Sequence, residues 1–325
     1  MIPFLLALAV SLFLTWWMAS GRSRLSIMDH PNERSLHAKP VPRSGGVAIL
    51  VGVLVGWVWL SVKHGLPTPL LWIVSAAMVV AGISLLDDIF ELSARVRLPV
   101  HMLAALLVLF GGVSLPWGWL GWLMTLFGIV WMLNLYNFMD GMDGFAGGMT
   151  LFGFAFLGLG GHLSGSPLFA LLCWSVSAAS AGFLLFNFPP ARIFMGDAGS
   201  ATLGLLAAAL SFWGVYQTIF PLWFPLMVFS PFWIDATVTL IRRSCRREKV
   251  WQAHREHYYQ RLVRSGWSHR KTVTVEYLLM LAVGASALLL LVYPRWWIDG
   301  LLVWGGIYLI LARMVDLFFA RRQGG

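Results

Sequence analysis

Eleven runs of 15 to 22 largely apolar residues follow one another along this chain, each closed by a polar, glycine-rich or proline-rich break. They cover residues 2–20, 45–62, 69–86, 100–114, 119–138, 147–162, 168–186, 200–215, 220–241, 274–293 and 297–318. Crossing a hydrocarbon core of about 30 Å takes about 20 helical residues. Inside that core every backbone polar group must be paired within the protein, which leaves helices or closed barrels. No period-2 alternation recurs as barrel strands require, so the pattern predicts an all-α integral membrane protein with about 11 transmembrane helices. The fourth and sixth runs are short and glycine-rich, and ten crossings is the alternative count. Only 11% of the residues are charged and 59% are hydrophobic, which excludes an ordinary soluble domain. No long repeat or linker divides residues 1–325, which read as one polytopic domain.

Charge then predicts sidedness. No charge precedes the first run, whereas Arg22 and Arg24 follow it, so it reads as a retained anchor with its N-terminus outside. Alternating from there, segments 21–44, 87–98, 139–148, 187–199, 242–273 and the C-terminal tail share one side and carry 20 Lys and Arg residues. The opposite loops carry two, Lys63 and Arg295, while Arg313 lies in the last run. The rich side is expected to be cytoplasmic, with the C-terminus inside. The net charge of +9 is thus mostly a topology signal rather than a nucleic-acid footprint. Cys173 and Cys245 fall at different depths, and no disulfide is expected.

Ten of the 14 acidic residues fall on that same side. In "NLYNFMDGMDGFAGG", Asn134, Asn137 and Asp140 are spaced i, i+3, i+6 and form a polar stripe at the end of the fifth run, with Asp143 between glycines just beyond. In "SLLDDIFEL", Glu91 is expected on the helical face of Asp87 and Asp88. "FNFPPARIFMGDAGS" brings Asn187, Arg192 and Asp197 before a helix expected to start at Gly199-Ser200, whose free N–H groups suit a phosphate. Singly, each has a structural explanation: a solvated acidic loop, helix–helix glue, an N-cap. Three clusters on one membrane face instead suggest hard oxygen ligands for Mg²⁺ or Mn²⁺, a mode that usually brings phosphates with it.

Two basic segments complete this side. In "DHPNERSLHAKPVPRSGG", three prolines rule out a continuous helix and place Lys39 and Arg43 before Gly45-Gly46, where they suit phosphate capture. In "AHREHYYQRLVRSGWSH", the spacing of His254, His257 and Arg261 predicts one shared helical face. A zinc site is disfavoured because "HREH" offers only two clear ligands. The structural alternative for this segment is a polybasic helix lying on anionic lipid.

Taken in order, "DDIFE", "NLYNFMDGMDGFAGG", "NFPPARIFMGDAGS" and "HREHYYQRL" resemble the polyprenyl-phosphate N-acetylhexosamine-1-phosphate transferases, glycosyltransferase family 4. The likeness is greatest to the bacterial branch that starts O-antigen and related surface glycans, including those of lipopolysaccharide. It implies transfer of a sugar-1-phosphate from a UDP-N-acetylhexosamine to undecaprenyl phosphate, with UMP released, in the inner membrane. It also implies Asp197 and Asn137 as Mg²⁺ ligands, Asp87 and Asp88 as the pair handling the acceptor phosphate or its proton, and Asp140 and Asp143 as donor contacts. Lys39, Arg43, Asn187, Arg192, His254 and His257 are the candidates for binding phosphate and nucleotide. The sugar and the oligomeric state, a homo-oligomer included, stay open. A membrane prenyltransferase and a secondary transporter are the alternative classes. The first would show paired Asp-rich motifs without a basic 242–273 segment, and the second would place ionisable groups near the midplane. Pro225 and Pro231 predict a kink in the ninth run.

Overall fold

Proline marks where several of the helices begin: Pro3, Pro69, Pro167 and Pro231 each occupy a first-turn position, where the missing N–H has no intrahelical partner to lose. The computed structural model describes residues 1–23, 27–29, 40–249 and 254–323. In chain order its elements are α1 (Ile2–Ala19), β1 (Met28–Asp29), β2 (Val41–Pro42), α2 (Gly45–His64), α3 (Thr68–Phe90), α4 (Ala94–Phe110) and α5 (Gly118–Met139). There follow α6 (Phe145–Leu163), α7 (Pro167–Asn187), α8 (Asp197–Tyr216), α9 (Trp223–Val228), α10 (Ser230–Cys245), α11 (Tyr258–Arg264), α12 (His269–Val292) and α13 (Trp297–Gln323).

Among the described residues nine helices are long and apolar enough to cross a membrane: α1, α2, α3, α5, α6, α7, α8, α12 and α13. The chain is thus an all-α integral membrane protein, apart from one antiparallel pair in which Met28 faces Pro42 and Asp29 faces Val41. Two of the eleven runs take another form. The fourth belongs to α4, a 17-residue helix that begins six positions before the run and includes Arg95 and Arg97. The expected 87–98 loop therefore shrinks to residues 91–93, since Asp87 and Asp88 lie in the last turn of α3 and Arg95 and Arg97 in the first turn of α4. The ninth run is split at Phe229, between Pro225 and Pro231, into α9 and α10.

Helix α8 is the axis of the bundle. It is buried along nearly its whole length and packs on α2, α3, α5 and α6. Its small residues make this close approach possible: a Cβ on Gly204 would strike the Met132 carbonyl of α5. By contrast α13 is peripheral, packing mainly on α11, α12 and the turn at 294–296 and bonded to α10 through side chains. Successive helices reverse direction, so the end of α3, α5 and α7 and the start of α2, α4, α6 and α8 meet at one end of the bundle.

Candidate active site

A short backbone seam joins the first basic segment to the one before α8. Phe194 N–H donates to Pro42 O (2.7 Å), Gly45 N–H to Phe194 O (2.9 Å) and Gly46 N–H to Met195 O (2.7 Å). Gly46 lies directly on Gly199, and a Cβ on either would overlap the other's backbone. This contact brings Arg43 to the start of α8.

Asp88, at the last turn of α3, spans that start with both oxygens. Oδ1 accepts from Asp197 N–H and Oδ2 from Ala198 N–H, each at 3.2 Å. The helix therefore begins at Asp197 rather than at Gly199-Ser200, and its first N–H groups are bound to a carboxylate instead of standing free for phosphate. Arg43 donates to the Asp88 carbonyl and lies 3.6 Å from its Oδ1. Asp87 accepts from Leu92 N–H (2.7 Å) and from Arg97 Nη1 (2.5 Å), and Arg97 also lies 3.5 Å from Asp197 Oδ2. Glu91 is not on this face: it ends α3 in the left-handed region with φ 51° and is exposed. Asn137 donates from Nδ2 to Ser200 Oγ (3.2 Å) and borders Asp197, which leaves its amide oxygen as a hard donor. Asn134 turns back onto the Val130 carbonyl (2.7 Å), so the polar stripe reaches the site only from Asn137 onward. Burial, then the charges of Asp197, Asp88 and Asp143, hold the Asp140 carboxyl well above the usual carboxylate range.

The turn after α5 is tied to the turn after α7. Asn187 accepts from Gly144 N–H (2.9 Å) and donates to Ile193 O (2.8 Å), so this buried amide is engaged at both ends with the scaffold. Asp143 Oδ2 accepts from Ala191 N–H (3.0 Å) and faces His269 Nδ1 at 3.4 Å. Arg192 is exposed at the same rim.

The histidines approach from the other side. His257 is the N-cap of α11, whereas His254 precedes it in non-helical chain, so they do not share a helical face with Arg261. Their rings nevertheless lie 4.8 Å apart. Burial first, then His257 and Arg243, push His254 down to about 4, which keeps it neutral at physiological pH. Behind His257 sits Asp235 of α10, whose carboxylate lies 3.2 Å from His257 Nδ1. Tyr259 anchors α11 against the turn after α5: its ring lies 4.7 Å from Phe145 and its hydroxyl donates to Phe138 O. Three arginines of this segment are paired inside the protein. Arg243 meets Glu256 (2.7 Å) and Glu248 (3.0 Å), while Arg242 and Arg261 meet Asp316 of α13 at 2.9 and 2.8 Å. That pairing argues against a loose polybasic helix on the lipid surface.

Compared with known proteins, residues 70–215 match the family described as Glycosyl transferase family 4. A Bacillus subtilis protein, "Probable undecaprenyl-phosphate N-acetylglucosaminyl 1-phosphate transferase", is 30% identical over 303 residues, covering 89% of this chain and 84% of the relative. A "Decaprenyl-phosphate N-acetylglucosaminephosphotransferase" of Mycobacterium tuberculosis is also 30% identical, over 87% of this chain and 81% of its own length. This chain belongs to glycosyl transferase family 4. An Escherichia coli K12 relative, "Undecaprenyl-phosphate alpha-N-acetylglucosaminyl 1-phosphate transferase", is 24% identical over 89% of this chain and 85% of its own. The protein is an enzyme, a phosphoglycosyl transferase of the polyprenyl-phosphate hexosamine-1-phosphate class.

Hard oxygen donors stand around the start of α8. Asp87, Asp88 and Asp140 all lie near Asp197, with Arg43 and Arg97 as the nearby guanidiniums. Among the described residues no three His, Cys, Asp or Glu side chains form a cage by themselves. A cation there would complete its shell from an amide oxygen, water and substrate phosphate, which is how Mg²⁺ is usually held. Lys39 lies outside the described residues. Sequence reasoning passed over three residues that the structure brings in: Arg97, read as ordinary positive-inside charge; His269, at a helix start; and Asp235. A lone Asp within an apolar run was a usable signal for the last.

Proposed function

We propose that this enzyme transfers an N-acetylhexosamine-1-phosphate from a UDP-sugar to undecaprenyl phosphate, with Mg²⁺, at the cytoplasmic face of a bacterial inner membrane. The product is a lipid-linked diphosphosugar that starts a cell-surface glycan such as O-antigen. An oxygen of the acceptor phosphate bonds to the phosphorus next to the sugar, the bridge to the α-phosphate breaks, and UMP leaves with that electron pair. The observation that carries the reading is the carboxylate cluster at one end of the bundle, with α11, which His257 caps, anchored through Tyr259 to the turn after α5, together with an apolar cavity of about 370 Å³ between α5, α8 and the α9–α10 break. Trp131, Met132, Phe212, Leu226, Phe229 and Trp233 line it, surfaces suited to a prenyl tail.

A phosphate monoester, with a second pKa near ~6, is mostly dianionic at neutral pH and needs little help from a base. Positioning and charge neutralisation are the larger requirement, because acceptor and donor repel. Asp197 and Asn137 would hold the metal, which when bound neutralises the donor diphosphate. Asp87 and Asp88 serve the acceptor through the guanidiniums they hold, Arg97 and Arg43. Asp140, Asp143 and the histidines face the donor, and Arg192 lies at its rim. The relatives named for N-acetylglucosamine transfer favour that sugar.

The test is to incubate membranes with undecaprenyl phosphate, Mg²⁺ and a panel of UDP-sugars while measuring UMP and organic-extractable product. UMP release that stops with EDTA and returns with Mg²⁺ or Mn²⁺ is expected. Full turnover in chelator would remove the metal from the reading, and uptake of intact UDP-sugar into sealed vesicles would favour the transporter. On a background lacking Cys173 and Cys245, a single cysteine at the exposed Ser268 should escape an impermeant maleimide in intact cells and label once the membrane is opened, whereas Ser61 and Ser164 positions should label in intact cells.

A further inference from the structure

Asp235 is the one carboxylate of α10, six residues beyond the break at Phe229 and only 8% exposed. Its surroundings consist of donors. Oδ1 accepts from Tyr258 N–H (3.0 Å) and from Thr239 Oγ1 (3.1 Å), and Oδ2 accepts from Tyr259 N–H (3.3 Å). The fourth neighbour is His257 Nδ1 at 3.2 Å from Oδ1, on a ring only 2% exposed. A carboxylate that accepts at every other bond must accept here too, so the proton of this pair sits on Nδ1. The imidazole then has one tautomer and one ring plane, with Nε2 on the edge turned away from Asp235. The same carboxylate holds the start of α11, because Tyr258 and Tyr259 are its first two residues.

We infer that Asp235 is the positioning residue for His257: it fixes the tautomer and ring plane in which Nε2 meets the diphosphate of the nucleotide-sugar donor. This rests on the donor-side reading of His257 given above. Asp235 itself never touches the donor. Its effect on donor use should therefore pass through His257, whereas its bonds to the Tyr258 and Tyr259 N–H groups act whether or not the imidazole is present.

That difference is measurable by a double-mutant cycle on the full-length enzyme in detergent, with UDP-N-acetylglucosamine, undecaprenyl phosphate and Mg²⁺, reading UMP release and Tm. Asp235→Asn keeps the shape and one acceptor but removes the charge and the second acceptor. It should lower kcat/KM for the UDP-sugar by roughly 10- to 100-fold, the range seen when a partner that orients a functional histidine is lost. In a His257→Ala background the same change should cost less than about twofold, because additivity fails for residues acting as a unit. Equal losses in both backgrounds would overturn the inference and leave Asp235 as a fold element. If His257→Ala alone leaves kcat/KM for the donor unchanged, the donor-side reading fails as well, which is a different outcome in the same data. Should Asp235→Asn not fold, Thr239→Val removes one bond to the carboxylate. A loss of about fivefold that vanishes beside His257→Ala supports the proposal, and a loss that persists there refutes it.

Discussion

Asp88 and Asp235 are the same device used twice. Each is a buried carboxylate that accepts two main-chain N–H groups at the start of a helix far away in sequence, α8 for Asp88 and α11 for Asp235. What surrounds them differs. Asp88 sits among α2, α3, α4 and α8, beside a second carboxylate and two guanidiniums, so its half of the site comes with the bundle. Asp235 ties the start of a seven-residue helix and its histidine to α10, with Tyr259 and Arg261 as the further anchors of that helix. The acidic half is thus over-determined by packing, and the histidine half depends on a few specific bonds. Changes in the first should destroy turnover without dismantling the site. Changes in the second should loosen binding.

The largest effect belongs to Asp197→Asn. It should lower kcat by about 10³-fold or more, the scale for losing a central electrostatic group, with Tm in detergent near that of the parent because α8 is held by its neighbours. A fall of Tm in step with activity would break the comparison. His257→Ala should weaken UDP-sugar binding by roughly 10- to 100-fold while kcat changes less, as calorimetric titration of the donor would detect. Asp88→Asn should show the reverse, with kcat cut and donor affinity nearly kept. Normal donor affinity in His257→Ala would reverse the two halves.

Gly46→Ala tests the seam that holds Arg43 against α8. The new methyl would overlap Gly199, and overpacking of this kind costs about 1–3 kcal/mol, visible as a lower denaturation midpoint. The smallest effect concerns His254. Its folded value, about 4, lies below the ordinary 6.5, so the unfolded chain takes up the proton first. Stability should therefore fall as pH drops from 6.5 to about 4 and return as pH rises. His254→Gln should flatten that acid limb in thermal scans, and an unchanged slope would mean that His254 is charged in the folded protein.

The acidic half was largely legible in the sequence because carboxylates at the ends of apolar runs stand out. Asp87, Asp88, Asn137 and Asp197 do converge, and Arg43 joins them. The start of α8 was misplaced because the carboxylate that caps it lies 109 positions away, beyond any local pattern. Asn187 looked like a ligand for the reason it is conspicuous, a polar side chain in an apolar setting, and only its two backbone partners reveal another use. Asp235 was hidden by the reading of residues 220–241 as one membrane span. Hydropathy averages over such a residue, whereas the geometry makes it the root of α11. The break at Phe229 was foreseeable from its flanking prolines.

Asp316 imposes an order on how this enzyme is made. It stands near the end of α13, yet it receives Arg242 and Arg261, which flank the histidines, and Phe318 beside it packs on Trp267. Every carboxylate and imidazole of the site leaves the ribosome before this counter-ion does. A chain with α1 to α12 in place but no Asp316 would leave Arg242 without its carboxylate partner and Arg261 with Glu256 alone, at 3.9 Å. If the proposed donor reading holds, a chain truncated just before residue 316 should be inserted and have its carboxylates in place, yet bind a nucleotide-sugar more weakly than the parent.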